Sequence, residues 1–137
     1  MSKEKVVLAY SGGLDTSVIV HWLASQGYDV IALCLDLGQK VENLDEIRQK
    51  GLKAGAVDVL IEDVRKEFVE DYVFRAIEWN AVYEGTYLLG TSLARPLISK
   101  KQIEAAERFG ASTVSPVSYT HLRAHETPEH LVCRLLR

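Results

Sequence analysis

Two adjacent glycines, Gly12 and Gly13, separate a short apolar run from a segment with helical periodicity. The run from Val6 to Tyr10 is apolar and rich in β-branched residues, which predicts a buried strand. Apolar residues then recur at helical spacing from Leu14 onward. A strand that passes through glycines directly into a helix limits the chain to folds in which strands and helices alternate.

The same alternation continues to about residue 115. The near-continuous apolar sequence of residues 29–37 predicts a second strand in a parallel sheet covered on both faces. We expect a polar helix over 44–54, a strand over 57–61, a helix over 64–83 capped by Asp63, a helix opened by Pro96 and a strand over 111–115. This order predicts an α/β fold with a doubly wound, Rossmann-like parallel sheet. Trp22 and Trp79 lie on helical stripes, and we expect both in the core.

The composition of the chain indicates which kinds of binding partner to expect. The chain is 47% hydrophobic and 26% charged, which is typical of a globular protein, and its net charge of -3 argues against binding to duplex nucleic acid. Cys34 and Cys133 show no metal-ligand spacing, so we expect no metal bound by the protein alone. The sequence shows no signal peptide and no apolar run of membrane-spanning length. We expect a cytoplasmic protein without membrane or nucleic-acid partners.

The turn over residues 11–17, Ser-Gly-Gly-Leu-Asp-Thr-Ser, has the features of an anion site. The first backbone N–H groups of a helix have no internal acceptor, and the helix dipole favours negative charge there. Glycines let these amides approach phosphate oxygens closely, and we expect Asp15 to cap the helix or to bind magnesium. Hydroxyl groups are added by three residues: Ser11, Thr16 and Ser17. The turn lacks the lysine of a Walker loop, so it predicts a grip on the pyrophosphate end of ATP, with chemistry at the α-phosphate.

Residues 9–17, Ala-Tyr-Ser-Gly-Gly-Leu-Asp-Thr-Ser, include this turn and resemble the signature of the N-type ATP pyrophosphatases, also called PP-loop enzymes. Its Asp-Thr-Ser ending is similar to that of the argininosuccinate synthase family in particular. Residues 28–32, continuing to Gly38 and Gln39, resemble that family's second strand and turn. Residues 87–96, Tyr-Leu-Leu-Gly-Thr-Ser-Leu-Ala-Arg-Pro, closely resemble its citrulline-binding segment. The resemblance covers residues 5–115.

This resemblance implies an adenine-nucleotide alpha-hydrolase-like fold and a ligase that uses ATP and Mg²⁺. In the family, the ureido oxygen of citrulline attacks the α-phosphorus of ATP, pyrophosphate leaves and a citrullyl-adenylate forms. The amine of aspartate then displaces AMP to give argininosuccinate, a step of arginine biosynthesis. The resemblance also implies a homotetrameric whole protein, and no residue here is expected to act as a covalent nucleophile.

The resemblance also assigns binding roles to positions of this sequence. The ATP site corresponds to ten residues: Ala9, Tyr10, Ser11, Gly12, Gly13, Leu14, Asp15, Thr16, Ser17 and Leu35. The citrulline site corresponds to Tyr87 and Ser92, with Thr91 and Arg95 as further candidates. Hydroxyls and a guanidinium suit the amino and carboxylate groups of an amino acid. Two other functions stay open: another PP-loop adenylating ligase, and a non-catalytic ATP-binding module.

Residues 116–137 do not continue the pattern. Residues 117–127 resemble the conceptual translation of a transposase adapter used in sequencing libraries. We therefore expect residues 1–115 to form an incomplete, truncated ATP-binding domain, and residues 116–137 to be a non-native, disordered tail. The family's ATP- and aspartate-binding loop would follow Ser115, so we expect the chain alone to be inactive. The alternatives are a genuine disordered tail and a metal site made by His121, His125 and His130.

Overall fold

A parallel sheet of four strands organises the computed structural model, which describes residues 3–38, 43–86 and 89–116. The strands are β1 (Lys5–Ala9), β2 (Asp29–Asp36), β3 (Asp58–Asp63) and β4 (Thr113–Ser115). Their order is β3-β2-β1-β4, and each neighbouring pair is parallel. Because β2 and β4 flank β1 on opposite sides, the strand order reverses at β1. The predicted doubly wound α/β fold is confirmed.

The helices follow the strands in the predicted alternation. They are α1 (Leu14–Ser25), α2 (Leu44–Ala54), α3 (Arg65–Phe68), α4 (Phe74–Glu78) and α5 (Gly90–Phe109). A π-helical turn over Val69–Val73 joins α3 to α4. Helix α2 has the bounds that its sequence predicts, because Asn43 caps its first turn and Gly55 ends it with a left-handed φ of 113°.

Both faces of the sheet are covered, as the apolar sequence of β2 predicts. Successive residues of β1 and β2 alternate between two buried clusters, which is the period of a pleated strand. The cluster under α1 and α2 contains Val6, Leu8, Val20, Leu23, Val30, Ala32 and Ile47. The cluster under α5 contains Val7, Ile31, Leu33, Leu35, Val64, Leu97, Ala105 and Ala106. The carboxyl ends of β1 and β2 are thereby fixed between two helical layers.

The segment after β3 differs from the prediction. The expected helix over 64–83 ends at Glu78 and is interrupted by the π-helical turn. Asp63 is not the N-cap; Val64 occupies that position. The Asp63 carboxylate instead accepts hydrogen bonds from the backbone N–H and the guanidinium of Arg65, which lower the pKa of Asp63 to about 2. Asp63 thus forms an ion pair with Arg65, the first residue of α3, from a position one residue before the N-cap.

Helix α5 begins at Gly90, so the prediction that Pro96 opens it is wrong. Pro96 lies inside the helix, where it cannot donate the usual backbone hydrogen bond because proline has no backbone N–H. Leu89 precedes the helix with a left-handed φ of 58°. The Gly-Thr-Ser-Leu-Ala-Arg segment, which precedes the predicted start of this helix, therefore forms the first turns of α5.

The two tryptophans lie on the surface, and the prediction that they belong to the core is wrong. Trp22 is 59% exposed and Trp79 is 81% exposed. Helix α1 carries apolar residues around its whole circumference, so periodicity alone could not indicate which stripe faces the sheet. The buried residues of α1 are Thr16, Val20 and Leu23, while Trp22 faces outward. Trp79 follows the last residue of α4.

We predict that Gly51→Ala lowers the free energy of unfolding by about 1 kcal/mol. A Cβ at Gly51 would lie 2.8 Å from Cγ2 of the buried Val59. Alanine gains about 1 kcal/mol of helix propensity, but overpacking a tight core costs about 1–3 kcal/mol. Urea denaturation followed by circular dichroism measures the difference.

Gly90→Ala is the matched control for this substitution. A Cβ at Gly90 meets no atom within 4 Å and its φ is not left-handed. This variant should be as stable as the wild type or more stable by up to about 1 kcal/mol. Equal stability of Gly51→Ala and the wild type would show that α2 does not pack as closely on β3 as the structure indicates.

Candidate nucleotide-binding site

The turn between β1 and α1 leaves three backbone amides without internal acceptors. Gly13 is the N-cap of α1, with φ -79° and ψ 173°, and no side chain caps the helix. The amide of Ser17 donates to the Gly13 carbonyl at 3.1 Å. The N–H groups of Leu14, Asp15 and Thr16 precede that bond, so the helix offers them no acceptor. The expected anion-binding arrangement is present at the carboxyl end of β1.

Gly12 is required by two features of the turn. Its φ of 80° lies in the left-handed region, which side chains disfavour. A Cβ there would also lie 3.0 Å from Cγ1 of Ile47, which is buried in α2. Gly13 has an ordinary extended conformation instead. Only the first glycine of the pair therefore adopts a backbone conformation that favours glycine.

Hydroxyl groups hold the turn in shape. Thr16 Oγ1 and Ser17 Oγ both donate to the Gly13 carbonyl oxygen, at 3.2 Å and 2.8 Å. Tyr10 Oη lies 3.1 Å from Ser17 Oγ, and Ser11 Oγ lies 3.2 Å from Thr16 Oγ1. The Gly13 carbonyl therefore accepts hydrogen bonds only from groups of the first turn of α1 among the contacts described here. The amides of Leu14, Asp15 and Thr16 point out of the start of the helix, as the first amides of any helix do.

Asp15 does not cap the helix, so that part of its expected role is wrong. Its carboxylate is exposed in the first turn of α1, where no side chain accepts a capping hydrogen bond. A negative charge at this end of a helix is stabilised by the dipole. The Asp15 side chain is thus open to solvent at the start of α1.

A cavity of about 340 Å³ adjoins the turn at the carboxyl ends of β1 and β2, against α5. Its lining includes five residues predicted to bind ATP: Ala9, Tyr10, Ser11, Thr16 and Leu35. It also includes Arg95, which was predicted to bind citrulline. The strands and α5 therefore bring members of both predicted sets to one cavity, at the sheet edge where the strand order reverses.

Other predicted residues lie outside the cavity wall. Five belong to the turn or the first helical turns without lining the cavity: Gly12, Gly13, Leu14, Asp15 and Ser17. Thr91 and Ser92 are exposed in the first turn of α5. Tyr87 lies outside the described residues, as do residues 117–137 of the predicted tail.

Sequence reasoning missed a second group of lining residues: Leu33, Cys34, Leu37, Ile98, Ser99, Gln102 and Pro116. The spacing of Arg95, Ile98, Ser99 and Gln102 marks one face of a helix, and this signal was available in the sequence. Cys34 is buried. Burial raises the pKa of the Cys34 thiol, and the nearby Asp36 carboxylate raises it further, which keeps the sulfur protonated.

The described ranges contain no group of three or more histidine, cysteine or carboxylate side chains placed to hold a metal ion. Among the helices in those ranges, none is long and apolar enough to cross a membrane.

Comparison with solved structures agrees with the fold. NAD+ synthetase from Burkholderia pseudomallei superimposes with a TM-score of 0.57 at 20% identity, over 82% of this chain and 53% of that one. At this level of identity, the likeness concerns the fold alone.

Sequence relatives are much closer. The chain is 60% identical over 113 residues to argininosuccinate synthase of Thermotoga petrophila, which is 82% of this chain and 27% of that protein. It is 60% identical over 114 residues to argininosuccinate synthase of Homo sapiens, which is 83% of this chain and 27% of that protein. The chain thus spans about a quarter of the length of the curated relatives it matches. The family model of the arginosuccinate synthase N-terminal HUP domain matches residues 5–119. With more than half of its length matched, this chain belongs to the argininosuccinate synthase family.

Proposed function

We propose that this chain forms the ATP-binding part of an argininosuccinate synthase, which joins citrulline to aspartate and releases AMP and pyrophosphate. One observation carries the proposal: three amides without helical acceptors at the start of α1 adjoin a cavity large enough for a nucleoside. The identity of 60% to argininosuccinate synthases supports this ligation over other adenylating reactions and over a non-catalytic ATP-binding module.

In this proposal, the turn binds the phosphates of ATP and the cavity binds its nucleoside. The β- and γ-phosphates lie against the amides of Leu14, Asp15 and Thr16, where the helix dipole also favours them. The nucleoside occupies the cavity against Leu35, and the α-phosphate lies between these two parts. This placement leaves the α-phosphorus at the boundary of the turn and the cavity, where a second substrate can approach it.

Magnesium enters with the nucleotide in this proposal. Mg²⁺ keeps several waters and commonly takes one or two carboxylates together with substrate phosphates. The exposed carboxylate of Asp15, beside the turn, fits that role. The ion supplies charge neutralisation for the departing pyrophosphate.

Citrulline is proposed to bind through Tyr87, which precedes α5 in the sequence, and through Ser92, Thr91 and Arg95 in the first turns of α5. Ser92 and Arg95 are one helical turn apart, so hydroxyl and guanidinium lie on the same side of α5. Arg95 lines the cavity, which supports the approach of citrulline to the α-phosphate from this helix. The residues act by positioning and by electrostatic stabilisation, and the protonated, buried Cys34 is not a nucleophile.

The remaining assignments concern the whole protein. We propose that it acts in the cytoplasm as a homotetramer and that its aspartate site lies outside residues 1–115. We also propose that residues 1–115 are the ATP-binding domain and that residues 116–137 are not part of it.

The sharpest test of phosphate binding is Leu14→Pro. Proline suits the first position of a helix, and the extended Gly13 before it is compatible with proline, but the Leu14 N–H is removed. The variant should bind Mg-ATP and pyrophosphate about tenfold more weakly, because one charge-assisted hydrogen bond is lost. Isothermal titration calorimetry on the 137-residue chain measures both affinities.

Leu14→Ala is the matched control, since it removes the same side chain, which is 80% exposed, and keeps the amide. It should bind both ligands as the wild type does. Equal affinities of Leu14→Pro and Leu14→Ala would contradict phosphate binding by this amide.

Arg95→Ala tests the citrulline site. With ATP replaced by its α,β-methylene analogue, so that no adenylate forms, citrulline affinity should fall about tenfold because a charge-assisted contact to the carboxylate is lost. Arg108→Ala, at the far end of α5, should leave the affinity unchanged. If only the affinity for the analogue falls, Arg95 serves the nucleotide and the citrulline assignment is wrong.

We predict that the 137-residue chain alone forms no argininosuccinate from ATP, Mg²⁺, citrulline and aspartate. The reason is that it spans 27% of the length of its relatives. Mass spectrometry of the reaction mixture, with a full-length relative as positive control, measures the product. Argininosuccinate above the no-protein blank would contradict this prediction.

A further inference from the structure

Tyr10 is a buried aromatic residue directly after β1, where the turn to α1 begins. It is 3% exposed, and its backbone N–H donates to the Leu33 carbonyl at 2.8 Å, which ties it to β2. Its ring belongs to the cluster under α1 and α2. An added Cβ at Gly51 would lie 3.4 Å from Tyr10 Cε1, so the ring packs against α2 at a residue without a side chain. The strand and the helix together fix the position of the Tyr10 hydroxyl.

This hydroxyl reaches Ser17, in the first turn of α1. Tyr10 Oη lies 3.1 Å from Ser17 Oγ, and Ser17 Oγ donates to the Gly13 carbonyl oxygen at 2.8 Å. A serine hydroxyl carries a single proton. Because the Ser17 proton is directed at Gly13, the proton between the two hydroxyls must come from Tyr10. The Tyr10 phenol therefore donates to Ser17, and Ser17 donates in turn to Gly13.

The Gly13 carbonyl does not depend on the Ser17 hydroxyl. Within the described part of the chain, it also accepts from the backbone N–H of Ser17 at 3.1 Å and from Thr16 Oγ1 at 3.2 Å. A carbonyl oxygen has two lone pairs, so one of these three donors can leave it without loss of saturation. The Ser17 hydroxyl can therefore rotate its proton to another acceptor. Ser17 is only partly buried, so such an acceptor can reach it from solvent.

We propose that Tyr10 is a positioning residue for the polyphosphate of ATP and acts through Ser17. This inference rests on the proposed function, because it requires phosphates at the start of α1, where Ser17 directly follows the three amides. The Tyr10 phenol holds Ser17 Oγ in place, and the Ser17 proton turns from the Gly13 carbonyl to a phosphate oxygen. The hydrogen bond from the phenol also polarises the Ser17 hydroxyl, which makes it a stronger donor to that oxygen. The phenol itself does not touch the phosphate.

The test is a double-mutant cycle on the 137-residue chain, with inorganic pyrophosphate as the probe and isothermal titration calorimetry as the measurement. Ser17→Ala should bind pyrophosphate about tenfold more weakly than the wild type, because a hydrogen bond to a charged acceptor is lost. Tyr10→Phe should bind it about fivefold more weakly, because the Ser17 hydroxyl is then neither held nor polarised. In the Ser17→Ala background, Tyr10→Phe should cause no further loss.

The cycle separates positioning from a general effect on the fold. If Tyr10 acted through packing alone, Tyr10→Phe would weaken pyrophosphate binding equally with and without the Ser17 hydroxyl, and the proposal would be overturned. Equal affinities of Tyr10→Phe and the wild type would overturn it as well. Tyr28→Phe is the matched control, because it removes the hydroxyl of a partly buried tyrosine beyond the other end of α1. It should bind pyrophosphate as the wild type does.

Ser17→Ala also tests the proposal on its own, should Tyr10→Phe not fold. An unchanged affinity of Ser17→Ala for pyrophosphate would mean that the Ser17 hydroxyl does not bind phosphate, which overturns the proposal. If the wild type binds neither Mg-ATP nor pyrophosphate, the proposed function itself fails and this inference falls with it. Binding by the wild type without coupling between the two substitutions overturns the inference alone.

Discussion

Three amide groups at the start of α1 have no acceptor within their own helix, and much of the structure holds them in place. Strand β1 is buried between two helical layers, so the point where it ends is fixed. Gly12 then turns the chain with a left-handed φ that also clears Ile47. The hydroxyls of Thr16 and Ser17 direct the Gly13 carbonyl back into the helix. A polyphosphate chain supplies the acceptors and negative charge that this arrangement lacks.

Helix α5 connects the proposed sites for the two substrates. Its first two turns carry Thr91, Ser92 and Arg95, and Gln102 lies further along the helix against β1 and β4. Since an α-helix is rigid over these few turns, the spacing between the proposed citrulline contacts and the nucleotide cavity is set by one element. The nucleotide is thus proposed to lie between the turn after β1 and the inner face of α5.

Local signals in the sequence predicted those parts of the fold that depend on local chemistry. Helix α2 has the predicted bounds, 44–54, and Gly12 and Gly13 indicated the turn after β1. The exposure and the long-range contacts of individual side chains depend instead on how the elements pack together. Trp22 lies on an apolar stripe of a helix that is apolar all round, so its exposure depends on which stripe faces the sheet. Helical spacing places Gln102 on one face with Arg95, but its hydrogen bonds follow from the fold, because its partners are carbonyls 95 and 13 positions away.

Phosphate binding by the amides at the start of α1 underlies the proposed function, and a nuclear magnetic resonance titration observes these amides directly. Proton–nitrogen correlation spectra of the labelled chain would be recorded as Mg-ATP and then pyrophosphate are added. We predict that the Leu14, Asp15 and Thr16 amide resonances shift the most and move downfield with both ligands, because each amide gains a charged acceptor. Saturable shifts elsewhere, with these three resonances unmoved, would contradict it.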